Sequence, residues 1–251
     1  MLTDNRGAYL KRGSIGAVRA ANTDIGTRPR LSKRDGTHRG AILCHGAGGT
    51  ATSWFDPAKP GSGALRALIT ARHFCYAGDF GGDNWGNANA LADVAAASAL
   101  LEAGGASAGP KLVAGGSMGG LVATRYAAQH PEDVAGLALW IPAIDAAAVR
   151  ALFPASFNTA WGLAAQDPLP NVVPDANPVN LPGQIACPVF LAYASDDPLV
   201  SPATAVTFAA ALDDVTLISV GALGHSEAAL TAAAAPFETW LRATFPTDYE
   251  L

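Results

Sequence analysis

Short, wholly apolar runs alternate along the chain with longer segments whose apolar residues recur every three to four positions. The runs at 40–45 (GAILCH), 74–77, 112–114, 134–141 (VAGLALWI), 189–193 and 215–220 (VTLISV) have the length and continuity of buried strands. Between them, 64–73 places Leu65, Leu68 and Ile69 on one helical face, and 91–103 is an alanine-rich helix that stops at Gly104-Gly105. Residues 121–127 resume helical spacing with Leu121, Val122, Tyr126 and Ala127 before His130-Pro131, and 202–212 and 226–244 are further helices. Buried strands alternating with helices predict an α/β fold: a mostly parallel central sheet with helices on both faces, in one domain over 1–251.

Two segments break the alternation. In 1–37, residues 8–10 and 15–18 read as two short strands around Arg12-Gly13-Ser14, and 27–36 reads as a polar loop. Residues 143–186 carry six prolines together with Leu152, Phe153, Phe157 and Trp161. That is too long for an ordinary connection, so it is expected to be a cap or lid inserted in the domain, or an irregular segment packed outside the sheet.

Half of the 251 residues are hydrophobic and 15% are charged, the balance of a packed domain rather than a disordered chain. A chain this long buries roughly 70–75% of its unfolded surface. No apolar run reaches the ~18 residues of a membrane span, and residues 1–19 lack the apolar core of a secretory signal. A cytoplasmic or virion-associated protein is therefore expected. The net charge is −5, yet residues 1–39 hold nine of the sixteen Lys+Arg and only three of the twenty-one Asp+Glu. This basic arm reads as a solvated hairpin or as a contact for an anionic surface. No motif reads nucleic acid. Cys44, Cys75 and Cys187 are odd in number and lack C-x-x-C spacing, so buried free thiols are expected rather than disulfides or a metal site. No metal cluster, P-loop or G-x-G-x-x-G after a first strand appears, and no cofactor is expected.

The chemistry concentrates at KLVAGGSMGGLVATRY, residues 111–126. An apolar run, a glycine-rich break and a helix form the setting of a G-x-S-x-G nucleophile turn. A serine hydroxyl is a poor nucleophile unless it is exposed, aimed and deprotonated by a neighbour. A sharp turn would expose Ser117, and the helix beginning behind it would favour developing negative charge.

Four features over about 40–245 resemble the α/β-hydrolase superfamily, in its serine esterase and lipase branch. They are His45-Gly46-Ala47-Gly48-Gly49 after a strand, the GGSMGG turn, Asp196-Asp197-Pro198-Leu199-Val200 after a strand, and His225 in a Gly-rich turn before the last helix. The resemblance implies an α/β-hydrolase fold with Ser117 as nucleophile, His225 as general base and then acid, and a carboxylate that orients the histidine. Asp197 matches the family's Asp-Pro-x-Val stretch, and Asp196 is the alternative. The oxyanion would be held by the Met118 N–H and by an N–H of the 45–49 turn, at Ala47 or else Gly48. That turn departs from the family's HGGG and HG-x-P forms. His45 reads as an orienting residue.

Among Trp54, Phe55, Trp85, Met118, Phe153, Phe157 and Trp161, some are expected to line an apolar acyl pocket, with Trp54, Trp85 and Trp161 the substrate-binding candidates. Residues 79–85 lie where α/β sheets bind ligands, at a strand's C-terminal end. A serine at the turn disfavours haloalkane dehalogenase and epoxide hydrolase chemistry, for which the family uses a carboxylate. The expected activity is hydrolysis of a carboxylic ester, a small molecule or lipid, through an acyl-enzyme. The same residues would also serve acyl transfer or thioester, amide or C–C hydrolysis. Two further readings are a virus-encoded esterase for lipid esters of a bacterial envelope and a non-catalytic binding module. Oligomeric state is not legible.

Overall fold

A computed structural model describes residues 38–168 and 177–248, together with three strand segments before them, Leu2–Thr3 (β1), Tyr9–Gly13 (β2) and Asp24–Thr27 (β3). Six further strands follow: Gly40–Cys44 (β4), Phe74–Gly78 (β5), Lys111–Gly116 (β6), Val134–Trp140 (β7), Val189–Tyr193 (β8) and Val215–Ser219 (β9). They form one sheet in the order β1-β2-β3-β5-β4-β6-β7-β8-β9. The pairings from β5 to β9 are all parallel, whereas β1, β2 and β3 join the β5 edge as antiparallel strands.

The near-continuous apolar runs of β4 to β8 are buried, as strands inside a covered parallel sheet must be, whereas the run at 215–220, expected to be buried, forms the edge strand β9 and is only half-buried. Along β4 and β6, Ile42 and Val113 face one helical layer while Leu43 and Ala114 face the other. Helices Ala88–Ala103 (α2), Met118–Gln129 (α3) and, further along the chain, Pro202–Ala210 (α6) cover the first face. Pro60–Thr70 (α1) and Glu227–Thr244 (α7) cover the second. Helix starts follow local chemistry: the Asn87 side chain takes the Ala90 N–H, Ser226 takes that of Ala229, and Pro60 opens α1.

Within 143–186 the proline-rich segment is more regular than its composition suggests. It carries Ala146–Leu152 (α4), whose Asp145 cap accepts from the Ala147 and Ala148 amides, and Pro154–Trp161 (α5). Pro154 starts α5 in the first turn, where a proline costs the helix no hydrogen bond. These two helices close a small cluster of Trp85, Met118, Leu121, Val149 and Phe157 over the C-terminal ends of β5 and β6.

Two expectations for the N-terminal arm are corrected. Arg12-Gly13 continues strand β2 rather than turning the chain, and Asp24–Thr27 is a strand that its mixed sequence does not announce. Pairing with the β5 edge supplies the order that local pattern lacks. The strand expected at 15–18 and the rest of the polar loop lie outside the described residues. Among the described residues no helix is long and apolar enough to cross a membrane, and all three cysteines are free and buried.

Candidate active site

β6 runs straight into Ser117, which adopts φ 51°, ψ −123°. A non-glycine residue in that region carries strain of ~1–3 kcal/mol and persists only when its surroundings over-determine it. Here they do. The Ser117 N–H donates to Trp140 O (3.1 Å), and the Ser117 C=O accepts from the Gly120 and Ala143 amides (2.8 and 2.9 Å). The turn also needs bare backbone beside it. A Cβ on Gly115 would lie 2.1 Å from Gly119 O, and one on Gly119 would lie 2.2 Å from Cys44 O.

Residues distant in sequence converge on the serine. The turn after β9 carries His225, whose Nε2 lies 2.8 Å from Ser117 Oγ and whose Nδ1 lies 2.8 Å from Asp197 Oδ2. With its proton on Nδ1, His225 donates to the carboxylate and accepts from the serine hydroxyl. The other carboxylate oxygen, Oδ1, accepts from the Leu199 and Val200 amides, both at 2.9 Å. Asp197 is thus a buried acid with each oxygen committed. Asp196 turns elsewhere, taking the Gly224 N–H at 2.7 Å on the exposed side of the His225 turn.

The 45–49 turn lies directly over Ser117, for a Cβ on Gly46 would meet Ser117 Cβ at 3.3 Å. The Gly46 C=O accepts from Gly49 N–H (3.0 Å) and faces His45 Nδ1 at 2.8 Å. A trans peptide points its N–H opposite its C=O, so this carbonyl also sets the direction of the Ala47 N–H. Among the described residues no protein acceptor takes the Ala47 or Met118 N–H, whereas the Gly48 N–H is engaged by Asp83 Oδ1 at 2.6 Å. Met118 opens α3, and its side chain is buried in the cluster under α4 and α5.

A cavity of about 250 Å³ opens at Ser117 and runs between the N-termini of α1 and α7. Trp54, Ile141 and Leu230 give it apolar wall, and Lys59, Ser62 and Glu227 give it polar wall. The expected apolar pocket is therefore only half apolar. First-turn residues of two helices meet there, and Glu227 accepts from both the Ser62 N–H (2.8 Å) and the Ser62 Oγ–H (2.9 Å).

Of the three tryptophans singled out, only Trp54 lines this cavity. Trp85 and Trp161 tie α5 to the loop after β5 instead. Trp85 Nε1 donates to Ser156 Oγ (2.7 Å), Trp161 Nε1 donates to Trp85 O (3.0 Å), and Trp161 stacks on Phe157 at 5.6 Å. Phe153 stacks on Trp85, while Phe55 packs beside the second core layer under the Arg66 guanidinium. Sequence reading missed Lys59, Ser62, Ile141 and Glu227, which no motif marks. It also left Asp79 and Asp83 without a role. Both carboxylates brace the turn over Ser117, and their place at the C-terminal end of β5 was the available signal.

A family model described as "Serine aminopeptidase, S33" matches residues 86–178, the span that contains Ser117 and helices α4 and α5. No curated protein matches the chain in sequence. Among solved structures, a putative lipase from Acinetobacter baumannii AYE superposes with a TM-score of 0.66 at 14% identity, over 96% of this chain and 93% of that one. Est1E from Butyrivibrio proteoclasticus superposes with 0.67 at 14% identity, over 97% and 99%. A Mycobacterium tuberculosis puromycin-hydrolyzing peptidase gives 0.70 at 18% identity, over 95% of this chain but 40% of that one. The chain has the α/β-hydrolase fold.

Proposed function

We propose that this α/β-hydrolase-fold chain is a serine hydrolase that cleaves a carboxylic ester with a small acyl group, through an acyl-enzyme on Ser117. The observation that carries the reading is the hydrogen-bonded line from Asp197 through His225 to Ser117, with 2.8 Å at each histidine nitrogen and the serine raised on a strained turn. Ser117 Oγ attacks the ester carbonyl as its proton passes to His225 Nε2. The resulting oxyanion sits against the Met118 and Ala47 N–H groups. The bond to the alkoxy oxygen then breaks, and the alcohol leaves with the proton from His225. Water next attacks the acyl carbon, giving its proton to His225. Ser117 recovers that proton as the acid departs. Asp197 holds Nδ1 protonated throughout, so that Nε2 can accept. The cavity is smaller than the ~300–1,000 Å³ typical of drug-sized ligands, which favours a short acyl part.

Amide or peptide hydrolysis is the second reading. It is favoured by the family match at 86–178 and by the charged wall residues Lys59 and Glu227 beside the serine. One experiment separates them. The wild type and Ser117→Ala are tested on p-nitrophenyl acetate through decanoate and on aminoacyl p-nitroanilides, with fluorophosphonate labelling mapped by mass. The ester reading expects label on Ser117, turnover highest on short esters, and loss of both in Ser117→Ala. Turnover confined to anilides would move the assignment to peptidase. No label and no turnover would leave a binding module.

A further inference from the structure

The turn over Ser117 is built from small residues and has almost no side chain with which to hold itself. Ala47 and Gly48 are exposed, and a Cβ placed on Gly48 would meet no atom within 4 Å. Packing therefore does not fix the tip of the turn, and its hydrogen bonds must. Gly46 to Gly49 closes as a β-turn through Gly49 N–H to Gly46 O, with Gly48 at φ +68° in the third position. That is the signature of a type II turn, and glycine reaches the alternatives at little cost. Rotation of the Ala47–Gly48 peptide would reverse the Gly48 N–H and loosen the Ala47 backbone next to it.

We propose that Asp83 is a positioning residue for this turn: by taking the Gly48 N–H, its carboxylate anchors the tip of the β-turn, and so steadies the Gly46–Ala47 peptide whose N–H is turned to the oxyanion position. The inference rests on the serine-hydrolase reading above. The contact is short and charge-assisted at 2.6 Å, and Asp83 is the only described group outside the turn that reaches Gly48. It also does not act alone. Asp79, four residues earlier in the same loop after β5, accepts the Ala51 N–H on Oδ1 (2.7 Å), and its carbonyl lies 2.8 Å from His45 Nε2. The loop thus braces the turn at both ends, with Asp79 at the half-buried base and Asp83 at the exposed tip. The division explains why the tip needs a carboxylate: only a full charge competes well with water for an exposed amide. It also assigns Gly48 to structure and leaves Ala47 as the donor.

Asp83 is exposed, so its removal should leave the fold intact. The test compares the wild type, Asp83→Ala and Asp83→Asn in p-nitrophenyl acetate turnover, fluorophosphonate labelling rate, thermal midpoint and hydrogen exchange of the Gly48 amide by NMR. Loss of an oxyanion donor outright costs ~10²–10³ in kcat, and here the donor stays but is no longer held, so Asp83→Ala should lower kcat about tenfold. KM should stay within about twofold, labelling should slow in parallel, and Gly48 should exchange faster. Asp83→Asn, whose neutral carboxamide oxygen still accepts but competes less well with water, should recover only part of the rate. The proposal is overturned if Asp83→Ala keeps wild-type kcat, or if both variants lose rate equally while Gly48 exchange is unchanged. If the wild type neither labels nor turns over, the hydrolase reading fails instead, and the Gly48 exchange rates alone decide whether Asp83 holds the turn.

Discussion

Replacing Asp197 by Asn would change one atom and should stop the reaction without unfolding the protein. The reason lies in how the carboxylate is shared. Oδ1 accepts two backbone amides, Leu199 and Val200, while Oδ2 faces His225 Nδ1. An amide in that place must keep its oxygen on the two N–H donors, which turns its NH₂ toward His225. The NH₂ then donates to Nδ1 and drives the histidine proton to Nε2, where it faces Ser117 and cannot accept. Wrong-tautomer substitutions of this kind cost on the order of 10⁴ in kcat in serine proteases, and a loss of roughly 10³–10⁴ is expected here. Stability behaves differently in the two obvious variants. Asn keeps both amides satisfied, so its thermal midpoint should stay within about 3 °C of wild type. Ala leaves two part-buried N–H groups unpaired at up to ~1–3 kcal/mol each, and at ~2–4 °C per kcal/mol for a chain this size the midpoint should fall by at most roughly 4–24 °C. Asp196→Asn serves as the control, because its carboxylate contacts Gly224 and not the histidine, and its kcat should stay within about threefold. The assay is p-nitrophenyl acetate turnover with scanning calorimetry. An Asp197→Asn enzyme within tenfold of wild type, or an Asp196→Asn enzyme that is dead, would refute this account of His225.

Three further outcomes follow from the packing. Trp161→Ala should lower the thermal midpoint yet leave KM for short esters within about twofold, because Trp161 stacks on Phe157 and not on the cavity wall; a large KM change with an unchanged midpoint would contradict this placement. Gly119→Ala should destabilise by more than about 3 kcal/mol, since its Cβ would press on Cys44 O at 2.2 Å, whereas Gly63→Ala within α1 meets nothing and should add about 0.5–1 kcal/mol, both read by urea unfolding. Partial burial pushes the Asp248 carboxyl up, but the hydrogen bond and charge of His73, and then Arg39, outweigh it and leave it below the usual range. A depressed carboxyl stabilises above its unfolded pKa of ~3.9 and loses that contribution as pH falls through the folded value, so the advantage of wild type over Asp248→Asn should be full at pH 5–7 and shrink below about pH 4.

How much could be read beforehand varies with the range of the interaction. The six parallel strands and most of the helices were legible because burial on both faces imposes continuous apolar runs on all but the half-buried edge strand β9, which is apolar too, and one-sided burial imposes helical spacing, within a few residues of chain. Helices α4 and α5 were not, because prolines and scattered aromatics mark a segment whose order comes from stacking on Trp85 and Trp161. Strand β3 was not, because its short, mixed sequence becomes a strand only by pairing with β5.

The site divides along the same line. The types and order of Ser117, Asp197 and His225, and the glycine turn before them, stood in the sequence, since the nucleophile turn is a local device with local requirements. The Asp-Pro-x-Val resemblance favoured Asp197 over Asp196, but which of the two side chains reaches a histidine 28 residues further along the chain is decided by packing. The half-polar wall of Lys59, Ser62 and Glu227 did not stand in the sequence, for it exists only because the first turns of α1 and α7 meet beside the serine. Local periodicity and turn chemistry determine which elements form and which residues carry reactive groups. The packing of distant elements decides which of those groups touch, because a hydrogen bond reaches about 3 Å and no residue spacing along the chain encodes that distance.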